Sequence, residues 1–87
     1  MFHMNKLENL KKKLLYRSSY RGTKEMDILL SSFVKNYMDK FTNEELEDLD
    51  KFLDFEDEVI YNYYHGIKSN KLLEKNKISK FLKKFKL

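Results

Sequence analysis

The chain has 87 residues, and its lack of cysteine excludes a disulfide framework, a thiolate metal site and a cysteine nucleophile. Proline is also absent and glycine occurs only twice, which disfavours a β-sandwich or barrel with many tight turns. No apolar run approaches the roughly 20 residues that a membrane-spanning helix needs. The apolar residues recur at helical spacing, so we predict one all-α domain over residues 1–87, a compact bundle of about five short helices.

The net charge of +4 is unevenly distributed along the chain. Residues 1–24 carry seven basic and one acidic side chain, whereas residues 44–58 carry nine acidic and one basic. Residues 68–86 carry eight lysines and one glutamate. We therefore expect the first and last helices to neutralise an acidic centre and to leave basic surface to spare.

Two helices are predicted in the N-terminal half, over residues 5–18 and 23–41. The first has a leucine stripe among lysines, which favours packing on a bundle; a helix that binds a membrane surface or nucleic acid is the alternative. Thr23 is the candidate N-cap of the second helix, and Glu25 and Asp27 lie in its first turn, where the helix dipole favours negative charge. The second helix has an apolar stripe of Met26, Leu29 or Leu30, Phe33, Tyr37 and Phe41.

A third helix is predicted over residues 43–54 and a fourth over residues 56–65. Thr42 and Glu45 have the spacing of a capping box that starts the third helix. Its acidic face is interpreted as solvated surface. Calcium binding is not expected, because the alternating oxygen ligands and the central glycine of an EF-hand loop are both missing. Gly66 is placed to end the fourth helix. The tyrosines of that helix are Tyr61, Tyr63 and Tyr64. We predict that their rings pack in the core with hydroxyls at the surface; an interface patch is the alternative.

The last helix is predicted over residues 70–85, capped by Ser69 or Asn70. It has lysines on one side, and it either completes the bundle or frays at its end. A basic tail that binds nucleic acid is a further alternative, although the segment lacks arginine for reading guanine. Its apolar side is formed by Leu72, Leu73, Ile78, Phe81, Leu82 and Phe85.

Arg21 and Gly22 stand side by side at the junction of the first two predicted helices, in a chain with only two arginines and two glycines. A guanidinium group binds carboxylate or phosphate in bidentate fashion, and glycine permits a positive φ or a close backbone approach. An exposed pairing of Arg21 with Glu25 would contribute at most about 0.5 kcal/mol. The group is therefore either incidental or serves something outside the chain. Arg17 is interpreted as an ordinary surface residue at the end of the first helix.

No residue pattern in the sequence indicates catalysis. His3 and His65 have no partner at the spacing of metal ligands, and phosphate-binding loops, nucleophile elbows and dinucleotide motifs are absent. We predict no catalytic, cofactor-binding or metal-binding residues. The interpretation is a protein that acts by binding another protein and is not an enzyme.

Residues 21–27 resemble the Arg-Gly-x-x-Glu-x-Asp signature of the succinate dehydrogenase flavinylation and assembly factors (SdhE type). The resemblance continues in order and spacing over residues 10–66. The family is all-helical, with about five helices and the signature near the start of the second. Two departures are Tyr63, where the family commonly has tryptophan, and Val59, where it has an acidic residue.

The resemblance implies an assembly factor that binds the flavoprotein subunit of succinate dehydrogenase, or that of fumarate reductase, and promotes covalent attachment of FAD. FAD would be the cofactor of that partner, and none would be bound stably by this chain. Arg21, Gly22 and Glu25 would form the contact, supported by Asp27. On this hypothesis Arg21 and Glu25 present a paired cation and anion, and Arg21→Ala leaves the melting temperature nearly unchanged.

We also expect a monomer, and the lack of a long apolar run predicts that it does not insert into a membrane. The expected location is the bacterial cytoplasm, or the mitochondrial matrix if a transit peptide has been removed. Two rival functions remain open at this point. One is a basic module that binds nucleic acid, and the other is an antitoxin-like interaction protein without any flavin connection.

Overall fold

Six α-helices make up the fold in the computed structural model, which describes residues 5–87. His3 therefore lies outside the described residues. No strand occurs within residues 5–87, so the all-α prediction is confirmed. The helices are α1 (Lys6–Ser19), α2 (Lys24–Tyr37), α3 (Asn43–Phe52), α4 (Asp57–Tyr64), α5 (Lys71–Lys75) and α6 (Ile78–Lys84).

Polar side chains fix the starts of four helices, because each accepts a hydrogen bond from an otherwise unpaired backbone N–H. Asn5 accepts from the N–H of Glu8 at 2.8 Å, and Thr23 accepts from that of Met26 at 3.3 Å. At α3 the predicted capping box is complete. Asn70 in the same way accepts from Leu73 N–H at 3.0 Å.

The predicted last helix, residues 70–85, is two helices broken at Asn76. This residue has an extended ψ of 127°, which ends α5. Its side-chain amide donates to the carbonyl of Asp48 at 2.8 Å, and its Oδ1 accepts from the N–H of Ile78 at 2.9 Å. Leu72 of α5, predicted on the apolar side, is instead 68% exposed.

The second helix ends earlier than predicted, at Tyr37 and not at residue 41. Lys40 and Phe41 both donate their backbone N–H to the Tyr37 carbonyl at 2.9 Å, which folds residues 38–41 into a turn. Phe41 nevertheless reaches the core, because the turn brings its ring to 5.0 Å from that of Tyr37.

The core receives buried side chains from all six helices, and it includes α6. Ile78 and Leu82 of α6 are fully buried, so the last helix completes the bundle and does not fray. The hydroxyl of Tyr63 donates to the Ser79 carbonyl at 3.2 Å, which corrects the expectation of a surface hydroxyl. The fully buried large side chains are Leu14, Leu29, Leu30, Phe33, Leu46, Leu49, Phe52, Leu53, Ile60, Leu73, Ile78 and Leu82.

Arg17 joins α1 to the acidic end of α3, so its interpretation as an ordinary surface residue was wrong. One guanidinium nitrogen donates to Asp50 Oδ1 at 2.6 Å and another to Asp54 Oδ1 at 2.6 Å. Lys13 donates to the same Asp50 carboxylate at 3.0 Å. The expected neutralisation of the acidic centre is confirmed for the first helix, which packs along both α2 and α3.

This cluster shifts the ionisation of its members. Burial alone would raise the pKa of the Asp50 carboxyl, but hydrogen bonds and positive charge from Lys13 and Arg17 together lower it below its ordinary value of 3.8. Burial likewise opposes the charge of Arg17, and the carboxylates of Asp54 and Asp50 nevertheless raise its pKa. The stabilisation by Asp50 is therefore present above the unfolded pKa and is lost as the pH falls through the lower folded pKa.

Asp50→Asn is expected to lower the free energy of unfolding near neutral pH and to change it less at a pH below the lowered folded pKa of Asp50, where the wild-type carboxyl is protonated as well. Urea unfolding at both pH values measures this difference. Asp39→Asn is the control, because its carboxylate pairs with Lys11 while 90% exposed and should have a smaller effect at neutral pH. Equal losses for Asp50→Asn at both pH values would contradict the assigned ionic role.

Candidate functional site

The turn between α1 and α2 exposes its glycine. Gly22 has a φ of +118°, a conformation that L side chains rarely adopt. A Cβ built at this position would meet no atom within 4 Å, so packing does not require the missing side chain. The backbone conformation requires glycine, and the outer side of the turn is open to close approach by another surface.

Arg21 points in the opposite direction, into the protein, with its side chain only 10% exposed. Its Nε–H donates to Asp57 Oδ1 at 2.7 Å. Its two terminal nitrogens donate to backbone carbonyls, Nη1 to that of Leu53 at 2.7 Å and Nη2 to that of Phe55 at 2.8 Å. One guanidinium group thereby ties the α1–α2 turn to the α3–α4 turn.

The end of α3 and the start of α4 provide a favourable environment for this cation. Leu53 is the C-cap of α3, where backbone carbonyls lack intrahelical partners and the helix dipole is negative. Asp57 is a carboxylate in the first turn of α4. A lysine could not reproduce the contacts, because its single ammonium lacks the planar fork that reaches three acceptors.

The geometry corrects the hypothesis that Arg21 and Glu25 present a paired cation and anion. Arg21 precedes α2, which begins at Lys24, so the two residues are not one helical turn apart. The guanidinium faces inward, whereas the Glu25 side chain is 61% exposed. Only the anion of the expected pair is presented to the outside.

Asp27 supports the turn from within, as expected of a supporting residue. Its Oδ1 accepts a short hydrogen bond from the backbone N–H of Arg21. Thr23 accepts the N–H of Met26 at the start of the same helix. The conformation of residues 21–23 is therefore fixed from both sides, and Gly22 is held in one position.

Glu25 lies at the rim of a shallow groove between α2 and α4, which we call the motif groove. Its Oε1 is 3.6 Å from Nε2 of His65, whose ring stands 4.3 Å from that of Tyr61. The groove offers acidic groups and an apolar floor to a partner. It is lined by Thr23, Glu25, Met26, Asp57, Glu58 and Tyr61.

Two exposed tyrosines next to the turn were missed in the sequence. Tyr16 is 68% exposed and Tyr20 is 72% exposed, and their ring centroids are 4.8 Å apart. Their spacing of four residues, off the leucine stripe of α1, is a signal that could have identified them.

Asp57 was assigned only to the start of the fourth helix, because nothing local in the sequence indicates its contact with Arg21, 36 positions away.

The predicted site residues thus divide by position. Gly22 and Glu25 lie at the surface, and Arg21 and Asp27 hold them from below.

Within residues 5–87, no group of three or more histidine, cysteine, aspartate or glutamate side chains is arranged to hold a metal ion. None of the six helices is long and apolar enough to cross a membrane.

Comparison with known proteins supports the resemblance. Residues 12–86 match a family model described as "Flavinator of succinate dehydrogenase". Relatives named "Succinate dehydrogenase assembly factor 2, mitochondrial" include that of Lodderomyces elongisporus, which is 42% identical over 76 residues, 83% of this chain and 46% of the relative. That of Scheffersomyces stipitis is 41% identical over 80 residues, 88% of this chain and 52% of the relative. No solved structure matches.

The chain spans about half the length of the curated relatives it matches; the relative from Debaryomyces hansenii is 45% identical, with 82% of this chain and 51% of that protein covered. All three relatives are named as mitochondrial, so they give no support to the expected bacterial cytoplasm. Over residues 12–86, which include the whole Arg21–Asp27 motif, the chain belongs to the family of flavinators of succinate dehydrogenase.

Proposed function

We propose that this protein binds the flavoprotein subunit of succinate dehydrogenase and promotes covalent attachment of FAD to that subunit. The observation that carries the proposal is the match of residues 12–86 to the flavinator family. The names of the relatives describe an assembly role and not a reaction, which supports a factor that is not itself the catalyst. FAD is then the cofactor of the partner, and this chain does not bind it stably.

The motif groove and the Gly22 turn are the proposed contact. Because a Cβ at Gly22 would point into open space, the flavoprotein backbone can approach the turn closely. Glu25 supplies an exposed carboxylate for a donor on the partner. Arg21 and Asp27 act indirectly by holding both residues in place.

Such a contact promotes the reaction by selecting a conformation. A protein that binds one conformation of the flavoprotein more tightly than the others shifts the flavoprotein population toward that conformation. If the bound state holds the flavin against its acceptor side chain, the covalent step gains from proximity and orientation. The factor then needs no acid, base or nucleophile of its own.

We further propose that the protein acts as a monomer in mitochondria, the location in the names of its relatives. The flavoprotein of fumarate reductase is a second partner to test, because the sequence resemblance includes it.

The function is tested by co-expressing the succinate dehydrogenase flavoprotein subunit from the same source with and without this protein. Covalently attached FAD survives on a denaturing gel and is read by its fluorescence. We expect fluorescence only in the presence of the protein, together with co-purification of the two chains. Full fluorescence without it, and no co-purification, would contradict the proposed function. The fumarate reductase subunit is tested in parallel.

Glu25→Gln is expected to abolish most flavinylation while changing the free energy of unfolding by no more than about 0.5 kcal/mol, because the side chain is exposed. Glu44→Gln is a matched control. Both glutamates are the second residue of their helix, both are mostly exposed, and each has one basic side chain nearby, His65 at 3.6 Å from Glu25 and Lys77 at 3.7 Å from Glu44. Normal flavinylation with Glu25→Gln, or equal losses with both variants, would refute a specific role for Glu25.

Arg21→Ala is expected to impair both stability and flavinylation, contrary to the expectation from sequence. Losing three hydrogen bonds to partly buried acceptors costs about 3 kcal/mol, which lowers the melting temperature of a domain of this size by roughly 15 °C. Thermal unfolding followed by circular dichroism measures the loss.

Arg17→Ala separates the two effects, because Arg17 also bridges two carboxylates but lies outside the motif. At a temperature where both variants are folded, Arg17→Ala should support flavinylation and Arg21→Ala should not. A wild-type melting temperature for Arg21→Ala would show that the observed contacts contribute nothing to stability.

A further inference from the structure

The last two helices carry lysines whose charge is not neutralised within the described part of the chain. Four of them surround one groove: Lys75, Lys77, Lys80 and Lys84. Lys77 approaches Glu44 at 3.7 Å, but both side chains are about 70–80% exposed, so the pair is weak. Across residues 5–87, no carboxylate forms an ion pair with the other three.

These charges are unfavourable for the isolated chain. Lys77, Lys80 and Lys84 are three and four residues apart, which places them along one face at α6, where like charges repel. The first helix differs, because its Lys13 and Arg17 are both paired with Asp50. A basic face with a single weak internal ion pair is available to an external partner of negative charge.

The floor of this groove, which we call the lysine groove, is apolar. The ring of Phe81 is partly exposed there and packs edge-on against Phe41 at 4.9 Å and Tyr37 at 5.6 Å. Ammonium groups thus surround an aromatic floor. A ligand that fits must bring negative charge and an apolar side chain together.

This chemistry favours an acidic polypeptide segment over nucleic acid. Glu45 and Glu74 also line the groove, and their carboxylates would repel a phosphate backbone. Both arginines of the chain, the residues best suited to phosphate, are held in contacts elsewhere in the fold. A peptide can place carboxylates against the lysines and basic or polar groups against the glutamates.

The usual size of a specific interface favours contact of the flavoprotein subunit with the lysine groove as well as with the motif groove. A stable interface involves about 20–30 residues on each side, more than the turn and the motif groove provide. The lysine groove shares no lining residue with the motif groove, so it adds new contact area. Two contacts on one partner reinforce each other, because the first raises the effective concentration for the second.

We propose that the lysine groove is a second docking site for the flavoprotein subunit, and that it receives an acidic segment of that subunit carrying an apolar side chain. The proposal rests on the proposed function, since it takes the partner from there. It assigns a task to the C-terminal helices separate from that of the Arg21–Asp27 motif.

The test compares two triple variants with the same change in net charge. Lys75, Lys80 and Lys84 are replaced by glutamine in the first, and the exposed lysines Lys6, Lys35 and Lys51 in the control. Binding to the purified flavoprotein subunit is measured by calorimetry at low and at physiological ionic strength. The first variant should bind about tenfold more weakly at low ionic strength, with a smaller salt dependence than wild type. The control should change affinity less than about twofold.

Replacing the same three lysines with arginine should restore binding, and this rescue distinguishes lost charge from altered folding. If wild type binds the flavoprotein and the glutamine variant binds equally well, the lysine groove proposal is overturned while the proposed function stands. If wild type itself does not bind, the proposed function fails first. If only binding to a DNA or RNA oligonucleotide depends on the three lysines, the groove serves nucleic acid and the proposal is likewise overturned.

Discussion

The contact of the Arg21 guanidinium with the α3–α4 turn is the interaction on which the candidate site depends. It joins segments more than 30 residues apart, through one carboxylate and two backbone carbonyls. Those carbonyls lie at and just beyond the end of α3, where an unpaired acceptor would be costly to bury. One side chain therefore satisfies the end of a helix and also fixes the turn that presents Gly22.

This contact divides a short motif into two physical roles. Arg21 and Asp27 form hydrogen bonds inside the chain, whereas Gly22 and Glu25 remain at the surface. Changing any of these four residues would give the same loss in a functional assay, although the physical causes differ. Stability measurements separate them, because a change at an inward residue alters the free energy of unfolding, whereas a change at an exposed side chain alters it little.

The sequence was informative wherever the determinant was local. Caps at Thr23 and Thr42 and the glycine that ends α4 lie within a few residues of the helix ends they control, and all three were predicted. The partners of Arg17 and Arg21 were not, since a contact with Asp50 or Asp57 is set by how helices pack. The break at Asn76 was missed for the same reason: its amide is held by the carbonyl of Asp48 in another helix, while the apolar spacing continues through the break.

The two basic ends of the chain, alike in composition, differ in what the fold does with their charge. Lys13 and Arg17 of α1 lie against α3 and pair with Asp50 and Asp54, so they stabilise the bundle. Four lysines at α5 and α6 lie around a groove that has only two carboxylates, those of Glu45 and Glu74, while Glu25 and Glu58 line the other groove. A surface that is cationic at one groove and anionic at another favours one orientation of an approaching partner over the rest, because the reversed orientation brings like charges together. The fold thus separates a modest net charge into one groove with an excess of lysines and another lined by carboxylates.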